Sequence, residues 1–175
     1  DKSVDGIACK YLLRDKTGLR TYFNEDGVIV LQKDAHDNKI TYTYTDGIYF
    51  SKITDSVGRE IAFHYNNDDG EKTLSSVTVQ GKAAGGGVSK KTISYETEEK
   101  SYTPHHGDRL HGVILTSATV DGSKEKYSYK TVERLVNTSG AGVASQRVST
   151  NQSYLLNKIT ADGNETHYEY RAGSL

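Results

Sequence analysis

Apolar and polar positions alternate in short runs along this chain. Ile40-Thr41-Tyr42-Thr43-Tyr44 sets Ile40, Tyr42 and Tyr44 on one side and threonines on the other, and Ile61-Ala62-Phe63-His64-Tyr65 repeats the arrangement. Successive side chains of a strand point to opposite faces, so a period of two predicts strands with one packed face and one wet face. Tyr127-Ser128-Tyr129 and Tyr168-Glu169-Tyr170 keep an aromatic pair two residues apart, and Ile93-Ser94-Tyr95 is a weaker copy.

Turn signals separate these runs. Asp-Gly occurs at Asp5-Gly6, Asp26-Gly27, Asp46-Gly47, Asp69-Gly70, Asp121-Gly122 and Asp162-Gly163. Each predicts a two-residue type I′ hairpin turn, because that turn needs positive φ at both central residues and this pair tolerates it. Between the first four lie Thr17-Gly18, Asp37-Asn38 and Val57-Gly58. A turn about every ten residues is the spacing of short strands joined as a meander, and it leaves almost no room for a helix.

The strands sit at a fixed offset from their turns. Gly58, Phe63 and Tyr65 follow Asp55 by the same steps that take Thr119 to Gly122, Tyr127 and Tyr129, and Thr160 to Gly163, Tyr168 and Tyr170. Asp34 leads likewise to Asp37, Tyr42 and Tyr44, and Asp15 leads to Gly18 and Phe23 with Glu25 in place of the last aromatic. This is an internal repeat of roughly 20 residues, one hairpin with its return turn. The chain therefore reads as a single repeat array over 1–175, with insertions near 81–87, 101–112 and 136–152. The glycine-rich 81–87 reads as a flexible connection.

Composition changes this picture in one respect. Leu, Ile, Val and Phe make up about 21% of the 175 residues, a thin stock for one compact core, but 13 Tyr and a net charge of −1 argue against disorder. Cross-strand pairs must then supply much of the stability, and tyrosine suits them, with a broad ring for packing and a hydroxyl that can stay wet. Balanced, interspersed charges give no reason to expect nucleic acid as a partner. No apolar run is long enough to span a membrane as a helix. The lack of any Met, and an end at Gly173-Ser174-Leu175 straight after an alternating pattern, lead us to expect an excerpt of a longer protein.

The run Ile53-Thr54-Asp55-Ser56-Val57-Gly58-Arg59-Glu60-Ile61-Ala62-Phe63-His64-Tyr65-Asn66 resembles one unit of the Rhs or YD-repeat family, with its acidic turn, Gly-Arg step and closing aromatic-x-Tyr. Asp34 to Tyr44 and Thr160 to Tyr170 are similar, more degenerate units. The resemblance implies an all-β fold of antiparallel β-hairpin repeats forming a curved, solenoid-like sheet strip. It implies a secreted or cell-surface protein, whose repeats build a shell that in toxins encloses a C-terminal toxic domain. The expected partners are the remaining repeats of the same protein and such an enclosed domain. Asp55, Gly58, Arg59, Phe63, Tyr65, Tyr42, Tyr44, Gly122, Tyr127, Tyr129, Gly163, Tyr168 and Tyr170 are the repeat positions on which this rests. The alternative is a surface adhesion or carbohydrate-binding module that stacks sugar rings on rows of exposed tyrosines, with a glycan as partner.

Candidate chemistry is sparse, and we expect no enzyme, cofactor or metal. His105-His106-Gly107-Asp108-Arg109-Leu110-His111 gathers metal-capable side chains, but their spacing fits no established zinc signature and reads as a solvated loop. Asn66-Asn67-Asp68-Asp69-Gly70-Glu71 offers oxygens without the alternating carboxylates and distal Glu of a calcium loop. Gly85 to Lys91 lacks the Gly-Lys-Ser/Thr ending of a phosphate loop. Asn137, Asn151 and Asn164 open glycosylation sequons, which matter only in a eukaryotic secretory route. Cys9, alone in the chain, reads as a small strand residue, and Glu98-Glu99 as a solvated charged run.

Overall fold

The computed structural model describes residues 2–68, 71–83, 85–102, 110–137 and 148–170. They form fourteen strands and no helix. The strands are β1 Lys2–Val4, β2 Ile7–Cys9, β3 Tyr11–Arg14, β4 Arg20–Phe23, β5 Ile29–Lys33, β6 Lys39–Thr45 and β7 Tyr49–Asp55, followed by β8 Glu60–Asp68, β9 Glu71–Lys82, β10 Val88–Tyr102, β11 Leu110–Val120, β12 Ser123–Asn137, β13 Val148–Ala161 and β14 Asn164–His167. The protein is all-β, antiparallel and built from consecutive hairpins, as the alternation predicts. It divides into two units, Asp1–Ile93 and Ser94–Leu175, with the boundary inside β10.

In the first unit, β3 to β9 pair in sequence order, and β1 and β2 form a separate hairpin. Residues opposite one another across antiparallel strands share a face. One face therefore carries Tyr42, Ile53, Ile61 and Val79 in a row, with Tyr44 opposite Phe50, Phe63 opposite Val77 and Tyr65 opposite Leu74. The other begins as Leu12, Tyr22 and Leu31 and continues as Thr41, Thr54, Glu60 and Gln80.

The first unit's core lies where this second face is still apolar. The β1–β2 hairpin packs there, bringing Cys9, Val4 and Ile7 against Tyr22, Val30 and a fully buried Leu31. Its turn is anchored electrostatically: Lys33 and Lys39 stand directly opposite each other, an unfavourable pairing of like charges, and Asp5 lies between them at 3.3 and 3.5 Å. Lys33 holds the Asp5 carboxyl below the usual aspartate range, and Asp5 in turn raises the Lys33 ammonium.

In the second unit, β11 to β14 again pair in sequence order. Tyr127 stands opposite Ile159 and Tyr129 opposite Leu156. On the other face the buried Ser117 hydroxyl donates to Glu96 at 2.8 Å, and Lys124 reaches both Glu96 oxygens at 2.7 Å. Lys124, with Ser117, keeps that carboxyl below the usual glutamate range.

The insertions prove to be parts of hairpins wherever they are described. Ala83 donates to Gly87 and Gly86 to Ala83, so the glycine-rich run expected as a flexible connection closes a hydrogen-bonded turn. Val136 pairs with Ser149 and Asn137 with Val148, extending the β12–β13 ladder. Residues 103–109 and 138–147 lie outside the described residues, and with them the centres of the other two insertions.

Candidate functional site

The repeat positions converge on a turn, an aromatic row and a β-bulge. At the turn, Asp55 Oδ1 accepts the backbone N–H groups of Val57 at 3.0 Å and Arg59 at 2.9 Å. Asp15 does the same for Thr17 and Leu19, and Asp34 for His36 and Asn38. Each carboxylate sits behind an identical backbone loop, in which the first residue donates to the fifth and accepts from the fourth. This is a three-residue hairpin loop with a left-handed residue at the end, tied by an Asx-turn. The left-handed position is Gly18 or Gly58 in two turns, and Asp37, at φ +62°, takes it in the third.

These bonds depress all three carboxyls. The Thr17 hydroxyl is the main cause at Asp15 and the Asn38 side-chain amide at Asp34. At Asp55 burial pushes the other way, and the Arg59 backbone N–H and guanidinium prevail over it. Arg59 itself is largely exposed while bonded to Asp55.

The Asp-Gly turns divide into kinds that the dipeptide does not distinguish. Asp5-Gly6, Asp121-Gly122 and Asp162-Gly163 are two-residue loops with positive φ at both residues, as expected. Asp46-Gly47 has those dihedrals, but its loop takes in Ile48 and closes at Thr45 and Tyr49. Asp26-Gly27 is not a type I′ turn. Only Gly27 has positive φ, and Asn24 ties the loop by accepting the Val28 N–H at 2.9 Å. Asp69-Gly70 lies outside the described residues. Gly122 and Gly163 thus keep their sequence offset while occupying a shorter loop than Gly58.

Beyond the turns the aromatic rings meet across strands. Phe50 is the hub: its ring centroid lies 4.9 Å from Tyr44, 6.2 Å from Tyr42 and 5.7 Å from Phe63. Tyr65 packs edge-on against Tyr49 at 5.4 Å, and Lys72 lies over the Tyr49 ring. All these rings are half-buried, and burial raises the hydroxyl pKa of Tyr42, Tyr44, Tyr65 and Tyr129. At Tyr127 the larger cause of the upward shift is its bond to Glu125. Tyr168 and Tyr170 follow β14 and are exposed.

Bulges recur beside the aromatic positions. Val30, Ser51, Ser75 and Asn157 each stand unpaired in the ladder, in β5, β7, β9 and β13, next to the pairs Phe23–Ile29, Tyr44–Phe50, Tyr65–Leu74 and Tyr129–Leu156. A bulge disrupts the ladder locally and disturbs its backbone hydrogen bonding. Tyr44 donates its hydroxyl to the Ile29 carbonyl and Tyr170 to the Leu156 carbonyl, in each case that of the residue just before the bulge. Tyr129 donates likewise to the Leu115 carbonyl. These hydroxyl bonds and the bulges carry no signal in a period-two reading. Only the recurring step of 14 or 15 residues between donor and acceptor could have pointed to them.

An open groove of about 400 Å³ runs between neighbouring turns, lined by Leu19, Ile40 and Val57 with Lys39, Asp55 and Arg59. Among the described residues no group of three or more His, Cys, Asp or Glu could hold a metal. The His105 to Arg109 stretch and Asp69-Gly70 lie outside the described residues. Cys9 is buried in the core. Glu98 pairs with Lys100. No protein-family model matches the chain, and a search of curated proteins finds no match.

Proposed function

We propose that the chain is a non-enzymatic structural segment of a secreted or cell-surface protein of the Rhs/YD-repeat kind, a curved strip of hairpins contributing to a β-shell or scaffold that can enclose a toxin domain. What carries this reading is the recurrence of one unit, an Asx-tied turn followed by a strand with an aromatic residue beside a bulge. Side chains that other proteins use on ligands are committed here to the sheet. The Tyr44 and Tyr129 hydroxyls bond backbone carbonyls, those of Tyr42 and Tyr127 bond side chains of the sheet, and the turn carboxylates accept N–H groups of their own loops. In a longer parent chain, the expected result is that this segment helps shield an enclosed domain from protease. Glycan-array binding that disappears on Tyr168→Ala or Tyr170→Ala would overturn the scaffold reading in favour of a carbohydrate-binding module.

A further inference from the structure

Two strands present unpaired edges among the described pairings, and they match each other. β3 pairs only with β4, and Tyr11, Leu12 and Leu13 are 50%, 53% and 62% exposed. β14 pairs only with β13, and every residue from Asn164 to Tyr170 is exposed. Their charges are opposite. Lys10 and Arg14 flank the apolar edge at β3, while Glu165 and Glu169 flank His167 and Tyr168 at the other.

One antiparallel register satisfies both charge pairs at once. Setting Lys10 opposite Glu169 sets Arg14 opposite Glu165, with Tyr11 opposite Tyr168, Leu12 opposite His167 and Leu13 opposite Thr166. The faces also agree. Tyr11 and Leu13 lie on the aromatic face, since Tyr11 pairs with Phe23 and Leu13 with Thr21, whose row continues through Gln32 and Ile40. Thr166 stands opposite Ile159, which stands opposite Tyr127, on the aromatic face of the second unit. A slip of one residue would break both charge pairs and put Tyr168 on the wrong face.

We propose that β14 and the residues after it in one copy of this chain add as an antiparallel strand to the β3 edge of a second copy, in this register. Unpaired edges template such pairing, and main-chain hydrogen bonds supply the affinity. The two surfaces differ, so the contact is head to tail, with one patch of each copy meeting the other patch of its neighbour. Within its own copy Glu165 holds Lys158 at 2.9 Å and His167 at 3.2 Å, and Lys10 lies 4.0 Å from Glu25, so the pairs with Arg14 and Glu169 across copies add to these contacts. An edge of five residues is short, so the association is weak and read best at about 0.2 mM protein or above.

The test is analytical ultracentrifugation of the whole chain with charge-reversed variants. Wild type is expected to self-associate with concentration, and to do so less as salt rises from about 0.05 to about 0.5 M. Lys10→Glu/Arg14→Glu makes both edges acidic and Glu165→Lys/Glu169→Lys makes both basic. Each variant alone is expected to weaken association at least about tenfold, and an equimolar mixture to restore it. Far-UV circular dichroism checks that each variant folds, and the salt series on wild type stands if one does not. A monomeric wild type, variants that associate as wild type does, or a mixture that stays monomeric would each overturn the proposal.

Discussion

Removing the Tyr44 hydroxyl while keeping its ring isolates the bond between the repeat's closing tyrosine and the bulge beside it. In Tyr44→Phe the contact with Phe50 at 4.9 Å is retained, and what goes is a 2.8 Å bond to the Ile29 carbonyl, in a partly buried site next to the bulged Val30. A typical hydrogen bond contributes about 1 kcal/mol net, and an acceptor left dry costs roughly 1–3 kcal/mol. Half-burial admits some water, so the loss should be about 1 kcal/mol. Tyr170→Phe removes a bond of 2.7 Å at a residue 57% exposed, where water replaces the hydroxyl, and should cost less than about 0.5 kcal/mol. Urea unfolding of the two variants beside wild type, followed by circular dichroism, reads both as midpoint shifts. Should Tyr44→Phe match wild type, or the two substitutions cost the same, the tyrosine bond does not stabilise the bulge.

Two further outcomes follow from the turns. Gly58 has φ +81° and nothing within 4 Å of an added Cβ, so Gly58→Ala costs only backbone strain, about 1 kcal/mol; Gly58→Asn should recover part of it, as Asp37 holds the same position at φ +62°, and thermal melts of the two variants would show the order. Asp15, Asp34 and Asp55 have folded-state pKa values below the usual 3.8, so their stabilisation is complete above that pH and is lost as pH falls through the lowered values. Urea midpoints should be level from neutral pH to about 4 and decline below it. Replacing all three by Asn, which ties the same turn at Asn24, should flatten that decline, and an unchanged decline would assign it elsewhere.

Strand positions and most turn positions were legible in the chain because period-two alternation and Gly or Asp at turns are local properties. Tyr42, Tyr44 and Phe63 fall on the face the alternation assigns them. Local reading fails where a side chain chooses between loops of similar composition. Asp26-Gly27 looks like Asp121-Gly122, and what separates them is Asn24, two residues earlier, taking the Val28 N–H. It fails again at the β1–β2 hairpin, whose role depends on Asp5 meeting Lys33 and Lys39 across some 30 residues of chain. The bulges were illegible because an extra residue in a strand preserves composition and shifts only the register. The glycine-rich 81–87 misleads for the opposite reason, since its composition signals freedom while its backbone closes with the same pair of hydrogen bonds as the Asp-tied turns.

The bulges in β5, β7 and β9 sit one per pair of strands, with none in the described pairings of β5 with β6 or of β7 with β8. The strand pair with its bulge is consequently the smallest increment by which such a sheet can lengthen or shorten. Gain or loss of a single strand would reverse the chain direction and bring turns of the wrong kind to each margin. Gain or loss of a single residue within a strand would exchange its threonines for its tyrosines. Duplications and deletions that this architecture tolerates should therefore come in steps of about 20 residues, so its length can drift between descendants while its cross-section stays constant.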